Sequence, residues 1–159
     1  MKDMETKTGL TDKFILNTPE EMEALGARLA QQAEAPCFVA LYGDLGAGKT
    51  VFVRGAARAL GIDEVTSPTF NIVHEYDTVP RFYHFDAYRL ADGDALMDMG
   101  FEEYLNGKSL LFLEWAELVE EALPKERINV TILGSGQEPR TVTIQAVGAR
   151  YERMVAAIC

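Results

Sequence analysis

The sequence predicts an α/β domain on a mixed sheet, parallel at its centre and antiparallel at its hairpins, with helices flanking it. Three observations point there. The apolar run Phe38-Val39-Ala40-Leu41-Tyr42 passes through a glycine-rich turn into a helical stretch, as a parallel strand passes into its crossover helix. A second apolar run, Leu110-Leu111-Phe112-Leu113, closes on Glu114 and is continuous enough to be buried on both faces. Two further pairs of strand-like segments are each joined by a short connection of turn-forming residues, the pattern of hairpins.

Taken in order, the first strand is expected near Phe14–Leu16. The polar, mixed-charge residues 1–10 read as a frayed leader, and 11–159 as one domain. A helix is expected from Pro19 to about Glu34. Asn17 or Thr18 caps it, Pro19 fits its first position, Glu20 and Glu21 suit its dipole, and Met22, Leu25 and Leu29 form one apolar stripe. After the strand at 38–42, a helix from Thr50 to Leu60 stops at Gly61. Phe70 to Tyr76 and Arg81 to Phe85 form a hairpin through Asp77-Thr78-Val79-Pro80. Short helical pieces between Asp92 and Asn106 break at Gly100 and Gly107. The strand Ser109 to Glu114 follows, then a helix from Ala116 to Leu123, stopped before Pro124. Ile128 to Leu133 and Thr141 to Ala146 make the second hairpin. Tyr151, Met154, Val155 and Ile158 recur at helical spacing in a final amphipathic helix.

The turn after the first apolar run reads Gly43-Asp44-Leu45-Gly46-Ala47-Gly48-Lys49-Thr50, a complete G-x-x-x-x-G-K-T phosphate-binding loop between a strand and a helix. Chemistry dictates each residue type. Glycines let successive backbone N–H groups curl around a phosphate, and the helix N-terminus adds its positive end. Lys49 sets a point charge on the outer phosphates, and the Thr50 hydroxyl suits Mg²⁺. The loop predicts a P-loop NTPase domain. The guanine-specifying Asn-Lys-x-Asp run is absent, so ATP is the expected nucleotide.

Such a site needs carboxylates at the carboxyl ends of neighbouring strands, to hold Mg²⁺ and to orient water. Glu114 ends one apolar strand and Asp86 another, Phe82-Tyr83-His84-Phe85-Asp86. Either acid fits either role. Thr69, in Ser67-Pro68-Thr69-Phe70, stands where P-loop switches place a threonine that reaches the metal or γ-phosphate, or else in a simple turn whose shape Pro68 fixes. His74 and His84 alternate along strands without a partner at metal-ligand spacing and read as strand-face residues. Trp115 follows Glu114 directly, placed either to pack beside the nucleotide or to fill core.

Composition sets limits on partners. With a net charge of −10 and a pI near 4.6, the chain lacks a basic stripe for a phosphate backbone. No apolar stretch reaches the roughly 18 residues of a membrane span, and no apolar signal core begins the chain, so a cytoplasmic protein is expected. Cys37 and Cys159 make no disulfide framework and are expected to be inert thiols.

The joint set Gly43–Thr50, Ser67-Pro68-Thr69, His84-Phe85-Asp86 with Tyr88-Arg89-Leu90, Met99-Gly100 and Glu114-Trp115 resembles, in order and spacing, the bacterial TsaE (YjeE) family. The resemblance runs from about Pro19 to Ile144. It implies the ATPase component of tRNA N6-threonylcarbamoyladenosine synthesis, acting with TsaB and TsaD, the pair that modifies an adenosine of tRNAs reading ANN codons. It implies weak ATP hydrolysis alone, more when docked, and contact with tRNA only through the complex. By resemblance, Lys49 and Thr50 are the P-loop pair, Glu114 the metal-associated glutamate, Asp86 the catalytic-site aspartate and Thr69 the switch threonine. Thr18-Pro19 and the hairpin tip at Glu138-Pro139-Arg140 would line the adenine. Ala87, where a bulkier apolar residue is common, and Val51, where a second hydroxyl often stands, depart from the family pattern without removing a required group.

Three rivals share the phosphate loop. A small-molecule kinase of this architecture needs an Arg-bearing lid, whereas the arginines here are dispersed. A GTP-dependent switch lacks its guanine-reading run. A non-catalytic nucleotide-binding adaptor has no use for acids at Asp86 and Glu114.

Overall fold

The computed structural model describes residues 10–65 and 72–158. They begin with β1 (Thr11–Leu16), α1 (Pro19–Gln32), β2 (Cys37–Tyr42) and α2 (Lys49–Ala59). A hairpin, β3 (Val73–Tyr76) and β4 (Arg81–Asp86), leads into two short helices, α3 (Gly93–Asp98) and α4 (Phe101–Leu105). Then come β5 (Ser109–Glu114), the 3-10 turns Ala116–Leu118 and Glu120–Ala122, β6 (Arg127–Leu133), β7 (Arg140–Val147) and α5 (Ala149–Ala156). The seven strands form one sheet in the order β1-β7-β6-β2-β5-β4-β3. Its centre, β6-β2-β5-β4, is parallel; the β3–β4, β6–β7 and β1–β7 pairings are antiparallel. The expected mixed sheet is the one observed.

The two-residue period of a strand sorts β2 and β5 between two cores. Cys37, Val39 and Leu41, with Leu110 and Phe112, face Leu25, Leu29, Phe52, Val53, Met154 and Val155 of the long helices. Phe38 and Ala40, with Leu111 and Leu113, face Leu96, Phe101, Ala116 and Val119 on the other side. Helices on both faces explain why these strands are continuous apolar runs. Burial pushes the Cys37 thiol up to about 12, so it stays a protonated, inert core residue at neutral pH.

Helix α1 starts as its sequence requires: Thr18 Oγ1 accepts from the Glu21 amide at 3.1 Å, and Pro19 takes the first turn. It then crosses α2 at backbone contact. A Cβ added to Gly26 would lie 2.1 Å from the Phe52 carbonyl oxygen, and one on Gly55 1.9 Å from that of Glu23. Small residues at both crossing points let the helices meet without side chains between them.

Two expectations need correction. β1 begins at Thr11 rather than near Phe14, because it pairs with β7 in continuous register from Thr11↔Gln145 to Leu16↔Arg140. The helix expected over Ala116–Leu123 is instead two 3-10 turns. Val119, at φ −132°, breaks the helical path between them. Among the described residues, no helix is long and apolar enough to cross a membrane.

Candidate functional site

The loop between β2 and α2 lies at the carboxyl end of the parallel strands, where α/β sheets hold ligands. Two of its glycines are sterically required. Gly43 has φ +149°, and a Cβ there would come within 2.7 Å of the Ile132 carbonyl oxygen. Gly48, at φ +115°, is the left-handed residue from which α2 starts, with Met22 Cε 3.1 Å from the place of its missing Cβ. Lys49 follows as the first helical residue and Thr50 as the second.

The Lys49 ammonium donates to the carbonyls of Gly43 and Asp44 and sits 3.9 Å from the centroid of the Trp115 ring. Trp115 reaches it because its backbone is left-handed, φ 62°, the sole non-glycine with positive φ among the described residues. Such a conformation costs about 1–3 kcal/mol for a bulky residue and marks a place where position outweighs comfort. Tyr88, exposed, packs against the indole at 5.0 Å between centroids. Of the two places open to Trp115, the structure puts it beside the phosphate loop. Burial pulls the Lys49 ammonium below the ordinary lysine range, opposed by the charges of Glu114, Glu117, Asp86 and Asp44.

The acids converge as their strand ends demand. β4 and β5 run in parallel register with Asp86 paired to Glu114. Thr50 Oγ1 donates to Glu114 at 3.0 and 3.2 Å to its two carboxylate oxygens. Glu114 is nearly buried, and His84 Nε2 lies 2.6 Å from its Oε2. Asp86 is half-buried and accepts from the Tyr88 amide at 2.9 Å. Burial pushes its carboxyl above the usual aspartate range and the Glu114 charge adds to that, against the Tyr88 amide, His84 and Lys49. Ala87, fully buried, donates its amide to the Glu114 carbonyl and so ties the two strand ends together.

A cleft of about 320 Å³ opens over these groups, lined by Leu45, Lys49, Thr50, Asp86, Tyr88, Glu114 and Trp115. A second, also about 320 Å³, shares Gly46, Gly48 and Val51 with it. Its walls are Leu16, Asn17, Thr18, Pro19 and Met22 from the start of α1, and Gly136, Gln137, Glu138 and Arg140 from the β6–β7 hairpin. Arg140 bridges hairpin and loop: its Nε donates to the Ala47 carbonyl at 2.9 Å, and its Nη2 to those of Gly46 at 3.4 Å and Gly136 at 3.2 Å.

Thus Gly43, Asp44, Leu45, Gly46, Ala47, Gly48, Lys49, Thr50, Asp86 and Glu114 come together, and Thr18, Pro19 and Arg140 line the adjoining cleft. Thr69 lies outside the described residues. Reading the sequence missed the contacts of two participants. Glu117 accepts from the Gly43 amide at 3.3 Å, and nothing in its exposed-looking sequence context marks it. His84, read as a strand-face histidine, is fully buried against Glu114. Its signal was the His-x-Asp spacing of β4, which puts His84 and Asp86 on one face.

The donor set suits a hard divalent cation. A hydroxyl and a carboxylate stand within hydrogen-bond distance of each other beside an anion-binding loop, and Mg²⁺ takes only one or two protein oxygens with phosphate and water for the rest.

The model of the family described as threonylcarbamoyl adenosine biosynthesis protein TsaE matches residues 16–142. The chain belongs to the TsaE family. It is 45% identical over 138 residues to the tRNA threonylcarbamoyladenosine biosynthesis protein TsaE of Bacillus subtilis, covering 86% of each chain. It is 40% identical over 123 residues to the same-named protein of Haemophilus influenzae, covering 72% of this chain and 78% of that one. The crystal structure of YdiB from Bacillus subtilis superposes with a TM-score of 0.82 at 38% identity, covering 94% of both chains. The match to the family model takes in both clefts as far as Arg140, so the TsaE architecture includes the hairpin that walls the second.

Proposed function

We propose that this TsaE-family chain is an Mg²⁺-dependent ATPase of the machinery that builds threonylcarbamoyladenosine on tRNA, working with TsaB and TsaD. The observation that carries the reading is the pair of clefts that share Gly46, Gly48 and Val51 at the phosphate loop and the head of α2. One presents a cation, a hydroxyl and acids, and the other presents apolar walls and main chain. A nucleoside triphosphate has the same division into charged and flat apolar ends.

The chain's groups take their parts from position. Amides of the loop from Asp44 to Lys49, with the Lys49 ammonium, stabilise charge on the outer phosphates. Thr50 and Glu114 would hold Mg²⁺, which would supply charge neutralisation at the outer phosphates. Asp86, beside Glu114 yet free of the Thr50 bond, orients the attacking water or accepts its proton. Its raised pKa brings it nearer the operating pH, as a base requires. Trp115 covers the ammonium with its ring face and Tyr88 packs against Trp115.

The names of the relatives support the pathway, and the charge supports the mode of contact. A chain with net charge −10 is suited to touch protein rather than tRNA, so tRNA is met through TsaB and TsaD. The test is phosphate release from Mg-ATP, alone and with the TsaB–TsaD pair, beside Glu114→Ala. Slow turnover that the pair raises and the variant loses is the expected result. Turnover indifferent to the pair would remove the partner assignment and leave the phosphate chemistry standing.

A further inference from the structure

His84 is the one residue, among those described, with a buried side-chain polar atom that lacks a hydrogen-bond partner. That atom is Nδ1; the other ring nitrogen, Nε2, lies 2.6 Å from Glu114 Oε2. A carboxylate faces Nε2 and no hydrogen-bond partner faces Nδ1, so a proton is assigned to Nε2, which donates to Glu114. As core filling this is a poor choice. The ring is wholly buried on a strand whose Phe82 and Phe85 are buried too, and an apolar side chain there would leave no orphan atom.

We propose that His84 is the positioning residue for Glu114, holding its carboxylate in the orientation from which it and Thr50 take up the divalent cation. The inference rests on the reading of Thr50 and Glu114 as that cation's protein ligands. Three features of the geometry carry it. A glutamate's terminal torsion is broad and two-fold, so an unheld carboxylate does not keep one face toward Thr50. His84 grips Oε2 from inside the sheet while Thr50 contacts both oxygens from α2, and the group is thereby fixed between a strand and a helix. Glu114 is itself buried at the strand end in register with Asp86, so protein groups such as the His84 N–H set the orientation of its carboxylate.

The test is calorimetric titration of Mg²⁺ into ADP-saturated protein, with metal-free ADP affinity and thermal melting measured beside it. His84→Leu removes the donor, His84→Gln restores an N–H at similar reach, and His84→Asn is polar but too short. His84→Leu and His84→Asn are expected to weaken Mg²⁺ binding about 10- to 100-fold, with metal-free ADP affinity unchanged and His84→Gln close to wild type. Wild-type Mg²⁺ affinity in a folded His84→Leu or His84→Asn protein, while Glu114→Ala loses it, overturns the positioning role alone. Wild-type Mg²⁺ affinity in Glu114→Ala overturns the ligand reading beneath it.

Discussion

The two clefts that meet at the head of α2 have the same volume, about 320 Å³ each, but are made of different material. On the proposed reading, the phosphate side is a set of side chains with one job each: Lys49, Thr50, Glu114 and Asp86, with His84 and Trp115 beside them. The base side is surface: a proline, a methionine, a valine, glycines and main chain from the hairpin tip, with polar side chains that mostly serve the fold. Thr18 is occupied in capping α1, and Arg140 in bonding carbonyls. Charge must be met by charge or by oriented dipoles, so the phosphate side has little freedom of residue type. A flat apolar ring can be gripped by many combinations of shape. The first region should therefore fail sharply under single substitutions and the second gradually.

The largest effect is expected at Asp86. Asp86→Asn should lower turnover at least about 100-fold, as for loss of a general base, while ADP affinity holds, because Asp86 bonds the Tyr88 amide rather than the loop. The pH profile gives the sign. Burial and Glu114 raise the Asp86 pKa, so the ionised form is lost as pH falls through a value above the ordinary aspartate range. Turnover in the wild type should then show an acid limb displaced upward, and the Asn protein should lose that limb. Steady-state rates across pH check both points; an unaltered limb assigns it to another group.

The same contrast explains what the sequence made legible. The order of elements followed from periodicity and turn residues, and the phosphate site from a loop and two acids placed after apolar strands. Each of these is a local pattern with a chemical reason. Glu117 was invisible because its bond to the Gly43 amide joins residues 74 positions apart, through a 3-10 turn that helical periodicity misdescribes. Arg140 was legible as a lining residue, but its bonds to Ala47 and Gly46 depend on how the β6–β7 hairpin folds over the loop. The left-handed turn at Trp115 had no signal at all, since neither glycine nor asparagine stands there.

The base side also depends on a contact far from any ligand. α1 brings Pro19 and Met22 to the cleft, α2 brings Val51, and their spacing is set where Gly26 meets the Phe52 carbonyl. Gly26→Ala forces a methyl into 2.1 Å of that oxygen. Overpacking of this kind costs about 1–3 kcal/mol, and for a chain of this size each kcal/mol lowers Tm by about 2–4 °C. Melting curves measure the loss. Because the helices move apart, affinity for ATP should drop more than affinity for inorganic tripolyphosphate, whose contacts lie on the loop and the strand ends. Equal losses would mean that the two regions share one rigid support.

Arg140 is where the comparison is most finely balanced, since it walls the base cleft and bonds the phosphate loop together. Its guanidinium spans main-chain oxygens of Gly46 and Ala47 on one side and of Gly136 on the other. Those bonds tie the hairpin tip to the loop and hold the Gly46–Ala47 segment in place. Arg140→Ala should therefore weaken ATP about tenfold, the equivalent of roughly 1.4 kcal/mol and in the range of a hydrogen bond to a charged group. Tripolyphosphate should weaken in parallel, which titration calorimetry with both ligands reads directly. A variant that loses ATP affinity and keeps that for tripolyphosphate would place Arg140 wholly on the base side, with the loop holding its shape through Glu117 and its glycines alone.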